Sequence, residues 1–86
     1  MQKIFISGGA GFVGSHLCEK IKDNYKGSKI IILDKLTYAG NLKFIKRLIK
    51  DKNVSFVKGD LCNIRLMEKL LKNVDIAINV AAESHV

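Results

Sequence analysis

The residues with the clearest chemical promise open the chain. Ser7-Gly8-Gly9-Ala10-Gly11-Phe12-Val13-Gly14 follows a short apolar run and begins an amphipathic stretch. Gly9, Gly11 and Gly14 satisfy GxGxxG, and Gly8, Gly11 and Gly14 satisfy GxxGxxG. A bare match carries little, but here it lies between a strand pattern and a helix pattern, the context in which such a loop cradles a pyrophosphate. The first glycine lets the chain turn sharply after the strand. The middle one lets backbone N–H groups approach a phosphate with no Cβ in the way. Gly14 lets the helix pack close to the sheet. The helix N-terminus adds unpaired donors and the positive end of a dipole, which suit a diphosphate. A purely structural glycine turn is the alternative. A mononucleotide P-loop is excluded, because no Gly-Lys-Ser/Thr follows.

Two carboxylates complete the constellation. Asp34 ends the second apolar run at the distance from Gly14 where a dinucleotide fold places an acid for the adenosine ribose. Its carboxylate accepts from ribose hydroxyls and repels a 2′-phosphate, which favours NAD over NADP. The neighbouring Lys35 works against that preference. Asp60 ends the third apolar run in the same way, where it can accept from the adenine amino group beside the Leu61 backbone. An Asx turn ahead of an Asn63 helix cap remains open as the structural role of Asp60.

These residues need a sheet whose strands end on one edge. Lys3–Ser7 reads as a strand, and Phe12 to about Asp23 as a helix with Val13, Leu17, Cys18 and Ile21 at helical spacing. Lys29-Ile30-Ile31-Ile32-Leu33, ending at Asp34, has no polar alternation, as suits a strand buried on both faces. Asn41 is a plausible N-cap for a second helix with Leu42, Ile45, Leu48 and Ile49 as its apolar stripe. Val54–Lys58 reads as a third strand. Asn63 caps a third helix carrying Leu66, Met67, Leu70 and Leu71, and Val74–Val80 is a fourth strand. The order β-α-β-α-β-α-β predicts an α/β protein of Rossmann type: a doubly wound parallel sheet, limited to its first four strands and three helices. Residues 1–86 are expected to be the N-terminal part of a dinucleotide-binding domain, with the rest of that domain and any substrate domain elsewhere.

Composition narrows the function classes. The chain has 86 residues, 48% of them apolar, and a formal net charge of +7 from 15 Lys and Arg against 8 Asp and Glu. One domain at most fits this length. No apolar run is long enough for a membrane span. The start is not patterned as a secretory signal, and a cytoplasmic protein is expected. Cys18 and Cys62 form no CxxC pair and are expected to be small buried apolar residues in a reducing compartment. His16 and His85 have no ligand-spaced partners, so no metal site is expected. Lys43, Lys46, Arg47 and Lys50 share one helical face opposite Leu42, Ile45 and Ile49, a solvated outer face with no interleaved aromatic residues. A nucleic-acid partner is therefore not expected.

The segment 7–17, Ser-Gly-Gly-Ala-Gly-Phe-Val-Gly-Ser-His-Leu, resembles the extended short-chain dehydrogenase/reductase superfamily. Asp-Lys-Leu-Thr-Tyr-Ala-Gly-Asn-Leu at 34–42, Gly-Asp at 59–60 and Ala-Ala-Glu-Ser-His-Val at 81–86 narrow the resemblance to the dTDP-glucose 4,6-dehydratase family of nucleotide-sugar enzymes in rhamnose formation. Ser7 stands where that family usually has threonine and keeps the hydroxyl. The resemblance implies an NAD site that includes Gly8, Gly11, Phe12, Val13 and Gly14. It adds Asp34, Lys35, Leu36 and Thr37 on the ribose and adenine side, and Asp60 and Leu61 flanking the adenine. Ala81, Ala82, Glu83, Ser84 and His85 would run along the cofactor, with His85 also near the sugar nucleotide. The implied substrate is dTDP-glucose, the implied reaction an internal redox elimination to the 4-keto-6-deoxy sugar, and the full-length parent a homodimer.

The family's Tyr-x-x-x-Lys pair and Thr-Asp-Glu cluster are not in their proper place here, so no catalytic residue is assigned and the chain alone is expected to be inactive. Tyr25 and Lys29 match the spacing, but Gly27 lies between them and Lys29 starts a strand, so the pair does not share a helical face. A Ser84-His85 hydrolase pair lacks a nucleophile elbow. Two rival functions remain: a UDP-sugar epimerase or decarboxylase of the same superfamily, and a non-catalytic NAD-sensing module.

Overall fold

A computed structural model describes residues 2–8, 12–35 and 46–80. Four strands form one sheet: β1 (Lys3–Ser7), β2 (Lys29–Asp34), β3 (Val54–Lys58) and β4 (Ile76–Asn79). All three pairings are parallel, and the spatial order is β3-β2-β1-β4. Winding therefore runs outward from β1 to β3 and then reverses to place β4 on the other side of β1. That reversal is the topological switch point of a doubly wound sheet, beside which ligands bind at the strands' carboxyl ends. Helix α1 (Phe12–Asn24) links β1 to β2, residues 46–48 are helical between β2 and β3, and helix α2 (Ile64–Leu70) links β3 to β4.

Burial follows the sequence pattern. In α1, Gly14, Leu17, Cys18 and Ile21 make one stripe at helical spacing, with Leu17 half-buried and the others buried. Cys18 and Ile21 pack with Ile4 and Ile6 of β1, Ile30 and Ile32 of β2, Leu48 and Val54. Ile6, Ile32 and Cys18 are 0% exposed, so the centre of the fold lies where β1 and β2 meet α1. Phe5 and Leu33 are buried on the other face of the sheet. The α2 side is thinner. Asn63 caps that helix by accepting from the Leu66 N–H at 3.1 Å, yet no residue of α2 is buried.

Three expectations need correction. The fourth strand is Ile76–Asn79 rather than Val74–Val80, because the Val74 N–H turns back to the Leu71 carbonyl at 3.1 Å. Ile49 does not belong to a buried stripe. It lies in the turn that leaves the helical residues 46–48 and is 43% exposed, while Leu48 alone of that pair reaches the core. Cys62 is exposed, because it sits in the β3–α2 turn rather than on a packed face. Cys18 is buried as expected, and burial pushes its thiol up to about 11. Lys46, Arg47 and Lys50 are exposed, as read from the sequence. Arg47 also reaches Glu19 of α1 at 3.0 Å. Leu42, Ile45, Asn41 and Lys43 lie outside the described residues.

Candidate functional site

The carboxyl edge of the sheet begins at Gly8. Its φ of +79° is the left-handed region that favours glycine. Its N–H donates to the Leu33 carbonyl at 2.7 Å, and a Cβ at this position would run into the Val80 carbonyl. The Val80 N–H in turn donates to the Ser7 carbonyl at 2.9 Å. The chain leaving β1 is thus held from β2 on one side and from the end of β4 on the other. The Ser7 hydroxyl adds a side-chain tie, donating to Asn79 Oδ1 at 2.7 Å. This last contact was not legible in the sequence, since it joins strand ends 72 positions apart. Gly14 is buried in the first turn of α1, consistent with close helix–sheet packing. Phe12 and Val13 begin α1, and their side chains lie outside the described residues, as do Gly9 and Gly11.

Asp34 is the last residue of β2 and only 7% exposed. Its carbonyl accepts from the Gly59 N–H at 3.0 Å, which locks the end of β2 to the end of β3. Asp34 therefore stands at the same sheet edge as Gly8, one strand away. Lys35 follows it into solvent and reaches Asp60, with Nζ 3.4 Å from Oδ2. The other Asp60 oxygen accepts from the Cys62 N–H at 2.9 Å, and the Asp60 carbonyl accepts from the Asn63 N–H at 3.0 Å. The Asx turn is thus present. The Cys62 N–H is the main cause holding the Asp60 carboxyl below the usual carboxylate range. The Lys35 ammonium adds to it, and partial desolvation opposes it. Leu61 is exposed beside Asp60. Sequence reasoning named Lys35 and Asp60 separately and missed that they pair, since nothing local links them.

Gly8, Asp34, Lys35, Asp60 and Leu61 therefore line successive strand ends of one edge. Leu36, Thr37, Ala81, Ala82, Glu83, Ser84 and His85 lie outside the described residues. Tyr25 follows the end of α1 at the opposite edge of the sheet, and Lys29 starts β2, so the pair shares no helical face. Among the described residues, no three His, Cys, Asp or Glu side chains could together hold a metal ion. No helix among them is long and apolar enough to cross a membrane.

The described part of that edge offers carboxylates at Asp34 and Asp60, which can accept hydrogen bonds, and an exposed apolar side chain at Leu61, which can lie against a planar ring. Known proteins bear on that chemistry. Residues 5–86 match the family described as GDP-mannose 4,6 dehydratase. A dTDP-D-glucose 4,6-dehydratase of Dictyostelium discoideum is 43% identical over 88 residues, covering 100% of this chain and 20% of that protein. The crystal structure of a dTDP-glucose 4,6-dehydratase from Bacillus anthracis, in complex with NAD, superposes with a TM-score of 0.88 at 40% identity. It covers 96% of this chain and 27% of that one. A UDP-glucuronic acid 4-epimerase from Bacillus cereus, in complex with UDP-glucuronic acid and NAD, has a TM-score of 0.86 at 29% identity, covering 99% of this chain and 28% of that one. The chain thus spans between a fifth and about three-tenths of the length of these proteins.

Proposed function

The chain belongs to the GDP-mannose 4,6 dehydratase family, and from that premise we propose that it is the N-terminal, NAD-binding part of a cytoplasmic dTDP-glucose 4,6-dehydratase. The observation that carries the reading is the meeting of Gly8 and Asp34 at one sheet edge beside the switch point. Gly8 leaves β1 at a positive φ with the Val80 carbonyl packed where a Cβ would stand, and this sharp turn after the strand is the one a diphosphate-binding loop starts from. Asp34, anchored through its own carbonyl, offers carboxylate oxygens to the two ribose hydroxyls. Asp60 and Leu61 bound the adenine on its far side. Leu36, Thr37 and Ala81 to His85 would complete the contacts, with His85 toward the sugar.

Gly8, Asp34, Asp60 and Leu61 would hold the adenosine diphosphate half of NAD, and the cofactor, when bound, would supply reversible hydride transfer for the internal redox elimination. The work of residues 1–86 in that cycle is binding and orientation. The Tyr-x-x-x-Lys pair and the Thr-Asp-Glu cluster would come from outside this chain. The substrate is proposed as dTDP-glucose because the Dictyostelium and Bacillus anthracis relatives carry that activity in their names. The rhamnose pathway and a homodimeric parent are part of the same proposal.

Calorimetric titration of NAD and NADP into the full-length protein tests the cofactor reading. Binding of NADP with no heat from NAD would sink the role given to Asp34. The product formed from dTDP-glucose tests the activity: a 4-keto-6-deoxy sugar is expected. A 4-epimerase is the second reading, favoured by the Bacillus cereus structure. Epimerised UDP-glucose with dTDP-glucose left unconverted would establish it instead.

A further inference from the structure

Four charged residues stand at the carboxyl ends of β2 and β3: Asp34, Lys35, Lys58 and Asp60. Asp34 and Lys58 are register partners in the parallel pair. Lys35, next in sequence to Asp34, has its ammonium 3.4 Å from Asp60 Oδ2. In a dinucleotide fold the acid at the end of the second strand meets the ribose 2′-position, and a nearby cation is what accommodates a 2′-phosphate. Here the nearest cation in sequence is already turned toward another carboxylate. We propose that Asp60 is a specificity-determining residue: through its ion pair with Lys35 it withholds the ammonium from a 2′-phosphate and so favours NAD over NADP. This rests on the dinucleotide reading of Asp34 given above.

The geometry suits the task. Asp60 Oδ1 is fixed by the Cys62 N–H at 2.9 Å, and the Asp60 carbonyl by the Asn63 N–H at 3.0 Å. The backbone therefore sets the carboxylate's direction before Lys35 arrives, and Oδ2 is left to meet it. Gly59 holds the two strand ends together, its N–H donating to the Asp34 carbonyl at 3.0 Å. The pair spans the two strands that would flank the adenosine ribose. Both side chains are well exposed, at 59% for Lys35 and 46% for Asp60. Solvent screening of such a pair limits its influence on a 2′-phosphate to a few-fold change in affinity, which is the size of effect the test must resolve.

The test is a double-substitution cycle in the full-length protein: unaltered, Asp60→Asn, Lys35→Met and both together, each titrated calorimetrically with NAD and with NADP. Asparagine keeps the Oδ1 acceptor for Cys62, so the turn survives. The expected result is that Asp60→Asn raises the NADP-to-NAD affinity ratio about fivefold. Lys35→Met with Asp60 intact leaves the ratio within about twofold, and the double variant returns it to the unaltered value. Lys58 is present in all four proteins, so its own pull on a phosphate cancels. A gain that persists without Lys35 overturns the proposal, because Asp60 would then act by direct repulsion. NAD binding retained in Asp60→Asn with an unchanged ratio overturns it also. If the unaltered protein binds neither dinucleotide, the reading of Asp34 fails first and the proposal falls with it.

Discussion

Gly8→Ala offers the sharpest perturbation of the site's framework, and Gly27→Ala is its internal control. Both glycines hold positive φ, +79° and +92°. A side chain in that region costs roughly 1–3 kcal/mol in backbone strain. Gly27, in the turn between α1 and β2, has nothing within 4 Å of where a Cβ would stand. Gly8 has the Val80 carbonyl there, and that carbonyl belongs to backbone which already donates its N–H to Ser7. Relief requires the end of β4 to move away from β1. Such overpacking adds about 1–3 kcal/mol. Gly8→Ala is therefore expected to cost roughly 2 kcal/mol more than Gly27→Ala. Urea midpoints of the two variants in the full-length protein, followed by circular dichroism, measure the difference. Equal losses would refute the steric argument, leaving conformational strain as the whole effect and Val80 as an incidental neighbour.

Replacing the α2 cap, Asn63→Ala, is expected to cost about 1 kcal/mol, since it removes the acceptor for the Leu66 N–H; Asn63→Ser or Asn63→Asp should restore most of the lost urea midpoint. The depressed Asp60 carboxyl makes a contribution present above the unfolded carboxylate pKa of about 3.9 and lost as pH falls through its lower folded value. A carbon-detected NMR titration should find Asp60 below the usual range and still depressed in Lys35→Met, because the Cys62 N–H is the main cause; full reversion in that variant would assign the effect to the ion pair. Peptide mapping after brief alkylation of the native protein is expected to find Cys62 modified and Cys18 protected, since only Cys62 is exposed and burial raises the Cys18 thiol. Equal labelling would show that the face between α1 and the sheet opens readily.

The strands were legible because their residues speak locally. Lys3–Ser7 and Val54–Lys58 are short apolar runs closed by glycine, and both appear with the bounds read from the sequence. The Asn63 cap was legible for the same reason, since an asparagine ahead of an apolar helical spacing has a local partner. Ile49 misled because helical periodicity says nothing about where a helix stops, and the chain turns at that residue. Cys62 misled because residue type alone predicts burial, while its place in a turn overrides it. Of the candidate site, Gly8 and Asp34 announced themselves by spacing. The ties Ser7–Asn79 and Lys35–Asp60 did not, because each depends on which strands become neighbours. That information lies in the register of the sheet, which no stretch of sequence displays by itself.

The reversal in winding at β1 also has a kinetic side. β1 meets β2 across a short span of chain, pairing Lys3 with Lys29. It meets β4 across nearly all of it, pairing Ile4 with Ile76. Closing the longer loop costs about 1 kcal/mol more in chain entropy. The seam between β1 and β4 is thus the most expensive join in the sheet. It is also the one that sets the Val80 carbonyl against Gly8, so one wall of this edge depends on the join with the largest loop to close.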